Sequence, residues 1–320
     1  MGQPSDLQFT RLIVLLTCTS AAVSNCFAQT GPRSDLQGKA VQVEMKNIMY
    51  HFTAPIVVHI ARLQGALIPT RQDGIPVFDD THSFKLAIES AEISITTAAM
   101  ANVLNQYVFA AHDAPLKDLS LHAEGDSLKV KGKLHNKGDI SFEVEAAIAA
   151  TTEGQIRLHA KKIRAAHLPV KGMMDLFGIE LSDLISTKKV AGVRADADDL
   201  ILNPEEILPP PHIQGRVNQV RIQGDRIIQI FGKGAPHATG AGNYMAYRGN
   251  QLRFGKLGMT NTDLVLIDLD PQDPFDFYLD RYEAQLVAGY VKITPGFGLR
   301  VFMHDFNKLQ KSGAKPAGVR

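Results

Sequence analysis

Between Ser127 and Ile148 the apolar and charged residues sort by parity. Leu128, Val130, Leu134, Ile140, Phe142, Val144, Ala146 and Ile148 hold even positions, while Lys129, Lys131, Lys133, Glu143 and Glu145 hold odd ones. A period of two sends neighbours to opposite faces of a strand, so one face of this sheet is greasy and the other charged. The segments "LKDLSLHA", "SLKVKGKLH", "DISFEVEAAIAA" and "GQIRLHAKKI", joined by turns at "EGD", "NKGD" and "TEG", predict an antiparallel meander. The third strand is about a dozen residues long, roughly 40 Å, where five or six residues are usual. Its glutamates face the lysines across "HNKGD", but exposed pairs add only a few tenths of a kcal/mol each, so register comes mainly from the apolar face.

Upstream, "VQVEMKNIMYHFTAPIVVHIARLQGALIPT" reads as extended chain in which Pro55 marks an edge position or a bulge. A loop, "RQDGIPVFDDTH", follows. "SFKLAIESAEISI" then alternates through Phe84, Leu86 and Ile88, and through Ala91, Ile93 and Ile95 after a slip of parity that predicts an irregularity like a bulge. At Thr96 the period changes. Ala99, Met100, Val103, Leu104, Tyr107 and Val108 recur at spacings of three and four behind Thr96 or Thr97 as N-cap, which predicts an amphipathic helix.

A second, broken helix is expected over 168–185, "LPVKGMMDLFGIELSDLI", from the spacing of Met173, Met174, Phe177, Leu181, Leu184 and Ile185 despite Gly178. The Pro209–Pro211 run is the natural boundary. Beyond it strand signals dominate, including "GRVNQVRI", "DRIIQIFG", "FDFYLDRYEAQLVAGYVKITP" and "GLRVFMHDF", and 311–320 reads as a polar tail. The expected organisation is a helix-enclosing β domain over 40–208 and a β-rich extension of its sheet, or a second β layer, over 212–310. The fold class is α+β, with a long, coiled antiparallel sheet that must bury its greasy face against the helices.

The first residues carry a different signal. Arg11 precedes the short apolar run "LIVLLTCTSAAV", and "CFA" ends at Ala28, a pattern that predicts an export signal over 1–28. The run is too short to span a bilayer, which needs about 20 residues. Both cysteines, Cys18 and Cys26, fall inside residues 1–28, and Thr17 and Asn25 are poor residues to precede a lipid-anchored cysteine. The expected mature protein is therefore periplasmic or extracellular, either soluble or in peripheral contact with a membrane, with neither disulfide nor thiol chemistry. With 34 Lys+Arg against 33 Asp+Glu, no basic field recruits nucleic acid.

Catalytic chemistry finds little footing. There is no Gly-x-Ser-x-Gly elbow and no His-Glu-x-x-His, and in "GNQLRFGKL" the spacing of a phosphate loop is wrong and Leu257 replaces the required hydroxyl. His122, His135 and His159 read as solvated or hydrogen-bonded, not as metal ligands. Asp268, Asp270, Asp273 and Asp276 crowd one stretch that could offer oxygens to Ca²⁺, but Pro271 and Pro274 and the missing Asp-x-Asp-x-Asp-Gly order favour a proline-braced hairpin loop. Lys161, Lys162 and Arg164 form a basic cluster that suits either a solvated strand end or lipid headgroups. No cofactor is expected and no enzyme is read here. An outer-membrane barrel would need aromatic girdles, whereas this chain has no Trp and 7% aromatics.

Gly132, Ala146 and Ala160 lie among Leu, Val and Phe on the greasy face, so that wall has shallow places for packed helices or for a ligand. The order of a strand, a helix beginning "ITTAAMANVLN", long strands "LKVKGKL", "ISFEVEAAI" and "GQIRLHAKKI", then "LPVKGMMDLFGIELSDLI" resembles the LmeA-like phospholipid-binding proteins of bacterial envelopes. Those are similar to the tubular lipid-binding (TULIP) proteins, which wrap a coiled sheet around a helix. The resemblance covers about 80–190; the strand-rich region after Pro211 departs from it. It implies a lipid, a phospholipid by class, as the partner. The lipid-lining residues it implies are Met100, Val103, Leu104 and Tyr107 facing Val130, Leu134, Phe142 and Val144, with Met173, Met174 and Phe177 at the mouth. The competing expectation is a structural or adaptor β protein of the envelope whose helices fill the same space.

Overall fold

The computed structural model describes residues 40–135, 139–166, 168–171, 180–233 and 241–311. The predicted export signal, both cysteines and Met173, Met174 and Phe177 lie outside them, as do 172–179 of the expected second helix and 312–320 of the polar tail. The protein is α+β and mostly sheet, with few and short helices. Among the described residues no helix is long and apolar enough to cross a membrane.

Strands β1 (Val41–Thr53) and β2 (Ile56–Pro69) form a hairpin. Pro55 sits in its turn, where no ladder N–H is needed, and the bulge falls beside it between His51 and Thr53. In β3 (Phe84–Thr96), Ser90 pairs with Gln64 but Ile88 pairs with Gly65, so Glu89 is left over and the parity slips there. Helix α1 (Thr97–Val103) follows, capped by the Thr96 hydroxyl, which accepts from the Ala99 amide at 3.1 Å. It passes into a single π turn, Leu104–Val108, closed by the Phe109 amide donating to the Leu104 carbonyl at 2.7 Å.

The meander is β4 (Leu116–Glu124), β5 (Ser127–His135), β6 (Asp139–Ala150) and β7 (Ile156–Ala165), all antiparallel neighbours. Where a helix was expected from residue 168, Leu168–Pro169 instead pairs with β7 as the short strand β8, and a single helical turn, α2 (Leu181–Leu184), appears near the end of the segment. Then come β9 (Val193–Asp196), β10 (Asp199–Leu202) and α3 (Pro204–Ile207). After the prolines the chain forms β11 (Ile213–Gln214), β12 (Val217–Gln223), β13 (Arg226–Gly232), β14 (Tyr244–Gly249), the small hairpin β15 (Leu252–Phe254) and β16 (Leu257–Met259), and β17 (Thr262–Asp268). It ends with β18 (Phe275–Tyr278), α4 (Tyr282–Ala288), β19 (Tyr290–Ile293), β20 (Leu299–Met303) and α5 (Phe306–Lys311). Helix α4 interrupts what the sequence suggests is continuous strand. Tyr282 and Gln285, one turn apart, are both buried, and Gln285 donates to the carbonyls of Asp276 at 2.9 Å and His304 at 2.8 Å.

The strands divide between two main sheets. One runs β12-β13-β3-β2-β1-β14-β17-β20-β19, with β11 beside β3 and β18 beside the second half of β1; the other runs β4-β5-β6-β7-β10-β9, with β8 beside β7. The strands after Pro211 thus extend the sheet of β1 to β3, and the meander belongs to a separate one. The partner of β1 on this edge changes at Asn47, whose φ of 56° puts a left-handed residue within the strand: Val41–Lys46 pair with β14, Ile48–His51 with β18. Helix α1 packs on β2 and β3 of the first sheet and on β4 of the second, so it is wedged between the sheets and one hydrophobic core continues across them. The two sheets are also joined at the β6–β7 turn, where the Val217 amide donates to the Gly154 carbonyl at 3.0 Å. Gly154 has φ of +85°, and a Cβ there would lie 2.7 Å from Arg216, so both its backbone and its bareness are required.

Candidate functional site: an apolar cavity under the meander

The greasy face of the meander does not close completely on its neighbours. Leu116, Leu119 and Leu121 from β4, Val130 and Leu134 from β5, Ile140, Phe142, Val144 and Ala146 from β6, and Leu158, Ala160, Ile163 and Ala165 from β7 form its floor. Leu104 and Phe109, at the two ends of the π turn, Val170, Leu181, Leu184 and Ile185 around α2, and Leu200 of β10 complete the wall. The cavity measures about 120 Å³ and every lining residue is apolar. Ile140, 45% exposed, carries the wall out to the surface. An apolar gap of about 150 Å³ stays dry and accepts a benzene-sized molecule, so this one accommodates a few carbons of hydrocarbon and offers water no partner.

Five of the residues singled out from the sequence, Leu104, Val130, Leu134, Phe142 and Val144, line this space. Met100 and Val103 do not: they are buried in the continuous core between the sheets, at 4% and 0% exposure. Tyr107 does not either, and is 42% exposed. The cause is the π turn, whose i→i+5 bonding advances the chain more slowly around the axis than the 3.6-residue period used to place Tyr107. Leu104 therefore points at the meander while Tyr107 turns to solvent.

The two alanines of the greasy face are direct cross-strand partners, Ala146 opposite Ala160, and both line the cavity while nearly fully buried. Gly132 makes no space: a Cβ there would meet Leu119 Cδ2 at 2.7 Å and Phe142 Cζ at 3.1 Å, so those side chains already occupy the gap. Leu158, Ile163, Val170, Leu181 and Leu184 are absent from the sequence-based selection. Period-two alternation through Ile156, Leu158 and Ala160 carried a signal for Leu158; Ile163 returns to the same face only after a register shift that leaves Lys161 over, and Val170 and α2 come to the site by chain reversal after β7.

The opposite face of the meander is a charge ladder. Lys131 lies 3.3 Å from Glu143, Arg164 3.3 Å from Glu143 and Lys162 2.7 Å from Glu145, while Lys129 pairs with Glu124. Hydrogen bonds from Lys131 and Lys162 hold the carboxyls of Glu143 and Glu145 below the usual range. Lys161 donates to the Ser127 hydroxyl at 3.2 Å. The basic cluster Lys161, Lys162 and Arg164 is thus engaged by its own sheet. His135 and His159 bond Asp139 and Asp199, each at 2.7 Å.

The acidic stretch is not a hairpin loop, because β17 pairs with β14 and β20 whereas β18 pairs with β1. Nor do its four aspartates converge. Asp276 turns to His51 at 2.5 Å, and Asp305, from beyond β20, joins Asp268 and Asp270 instead. Lys308 reaches into that group, 3.5 Å from Asp270, 3.4 Å from Asp273 and 3.0 Å from Asp305, so a side-chain ammonium balances the carboxylates. Burial raises the pKa of Asp305 and of Asp268. No family model, no curated protein and no solved structure matches this chain.

Proposed function

We propose that this protein binds a lipid by an acyl chain, without altering it covalently, in the cavity between the meander and the π turn. The observation that carries the reading is a cavity of about 120 Å³ lined solely by apolar side chains and reaching the surface at Ile140. Water gains nothing there, whereas each CH₂ transferred from water is worth about 0.8 kcal/mol. The cavity as it stands holds only part of a chain, so a longer one enters as α2 gives way; α2 is a single turn with no buried residue. A sheet coiled against a helix in the TULIP manner, a phospholipid as ligand, and export by residues 1–28 belong to the same reading and follow from the sequence resemblance and the leader pattern. The small cavity volume is also what a structural or adaptor protein with imperfect packing would have.

Native mass spectrometry of the signal-free protein, before and after incubation with phosphatidylglycerol vesicles, separates these readings. Lipid adducts are expected on the wild type and not on Ala160→Leu. Protein that stays empty under both conditions supports the adaptor.

A further inference from the structure

Five of the eight large apolar side chains that stand exposed among the described residues gather at one place away from the cavity. Val287, Tyr290, Val291, Ile293 and Phe297 all fall in the segment that leaves α4, runs along β19 and turns into β20; Ile293 is 70% exposed and Phe297 88%. β19 is the last strand of its sheet, at the edge opposite β12. The turn beyond it is rigidly built: the Thr294 amide donates to the Gly298 carbonyl at 2.8 Å, the Phe297 amide to the Thr294 carbonyl at 2.9 Å, and the Gly298 amide to the Thr294 hydroxyl at 2.9 Å. Phe297 has φ of 62°, a conformation rarely adopted by aromatic residues, and the turn holds its ring outward.

We propose that this tip docks on an anionic lipid bilayer. Two observations select that occupant. From Ala288 to Phe302 the chain has Lys292 and Arg300 and no carboxylate; Arg300 is held by Asp263 at 2.9 Å, and Lys292 lies 5.4 Å from the rings of Tyr290 and Phe302. Aromatic rings with an adjacent ammonium match the interfacial layer of a membrane carrying negative headgroups. The second is size. A stable protein interface needs about 800 Å² per partner, and a tip of two aromatic and three aliphatic side chains falls short of that, whereas a reversible membrane contact needs only a few inserted side chains. The strand itself stays at the headgroup level, since its unpaired edge groups cannot enter hydrocarbon.

The test is co-sedimentation of the signal-free protein with vesicles of phosphatidylcholine alone and of phosphatidylcholine with phosphatidylglycerol. Binding to the anionic vesicles is expected to exceed that to neutral ones, to weaken with salt, and to fall at least tenfold in Ile293→Ser/Phe297→Ser. The exposed positions predict an unchanged melting temperature for that variant, which removes misfolding as an explanation. Ala160→Leu, which fills the cavity, is expected to sediment as the wild type does, so failure of cavity binding and failure of the tip are told apart. Equal sedimentation of the tip variant and wild type, no vesicle binding at all, or a concentration-dependent dimer abolished by the same two substitutions would each overturn the proposal.

Discussion

The side chain of Asn105 pairs with Leu119 as a neighbouring strand would: its amide donates to the Leu119 carbonyl at 2.8 Å, and its carbonyl oxygen accepts from the Leu119 amide at 2.9 Å. Leu119 lies where the β4–β5 register shifts, so its backbone groups lack ladder partners, and the π turn brings Asn105 to them. The end of the helix is thereby tied to the wall of the cavity. Asn105→Ala leaves a donor and an acceptor unsatisfied and is expected to cost about 2–3 kcal/mol in urea unfolding. Asn105→Asp keeps the acceptor, loses the donor and sets a carboxylate against a carbonyl. It is expected to be at least as destabilising at pH 7 and to recover in part as the carboxyl protonates.

Ala146 and Ala160 make the shallow place in the sheet, so enlarging either fills the cavity. Ala160→Leu is expected to change stability by less than about 1.5 kcal/mol, because its added methyl groups enter space already present. Leu128→Ala, 1% exposed and not on the cavity wall, is expected to lose about 2–5 kcal/mol. Equilibrium denaturation of the pair checks this. A large loss in Ala160→Leu would mean that the gap cannot accept a side chain.

Strands β2 and β3 approach so closely at the bulge that a Cβ on Gly65 would lie 2.2 Å from the Ala87 carbonyl oxygen. Backbone cannot step aside as a flexible side chain can. Gly65→Ala is expected to cost more than about 3 kcal/mol and to lower soluble yield, as measured by thermal unfolding of whatever protein is recovered.

His59 donates from Nε2 to the Asn47 side-chain oxygen at 2.9 Å, and Asn47 in turn donates to Asn243 at 2.8 Å. Burial, and then the charge of Arg226, lower the His59 pKa below its ordinary value, with Glu92 opposing. The unfolded chain therefore takes up this proton first on acidification. The contribution is fully present above about pH 6.5 and is lost as pH falls through the folded-state value. The melting temperature of His59→Gln is expected to fall less than that of wild type between pH 7 and pH 5. Parallel profiles would show that His59 does not report its burial.

Much of this architecture was legible along the chain because it depends on local period. Alternation located the meander and its long third strand, the slip at Glu89 appeared as a change of parity, and the Ala146–Ala160 depression showed as small residues in a row of large ones. Parity says which face a residue occupies, and it does not say which strand lies alongside. The pairing of β1 with β14, the separation of the meander into its own sheet, and the arrival of Asp305 beside Asp268 rest on contacts between distant segments that no local pattern encodes. The same holds for Tyr107, where one turn of wider helix redirects a side chain that a regular period would have sent inward. Sequence period thus determined that a greasy wall exists; how completely the rest of the chain covers it was decided only by tertiary packing, because the space left behind depends on volumes and distances between elements far apart in sequence.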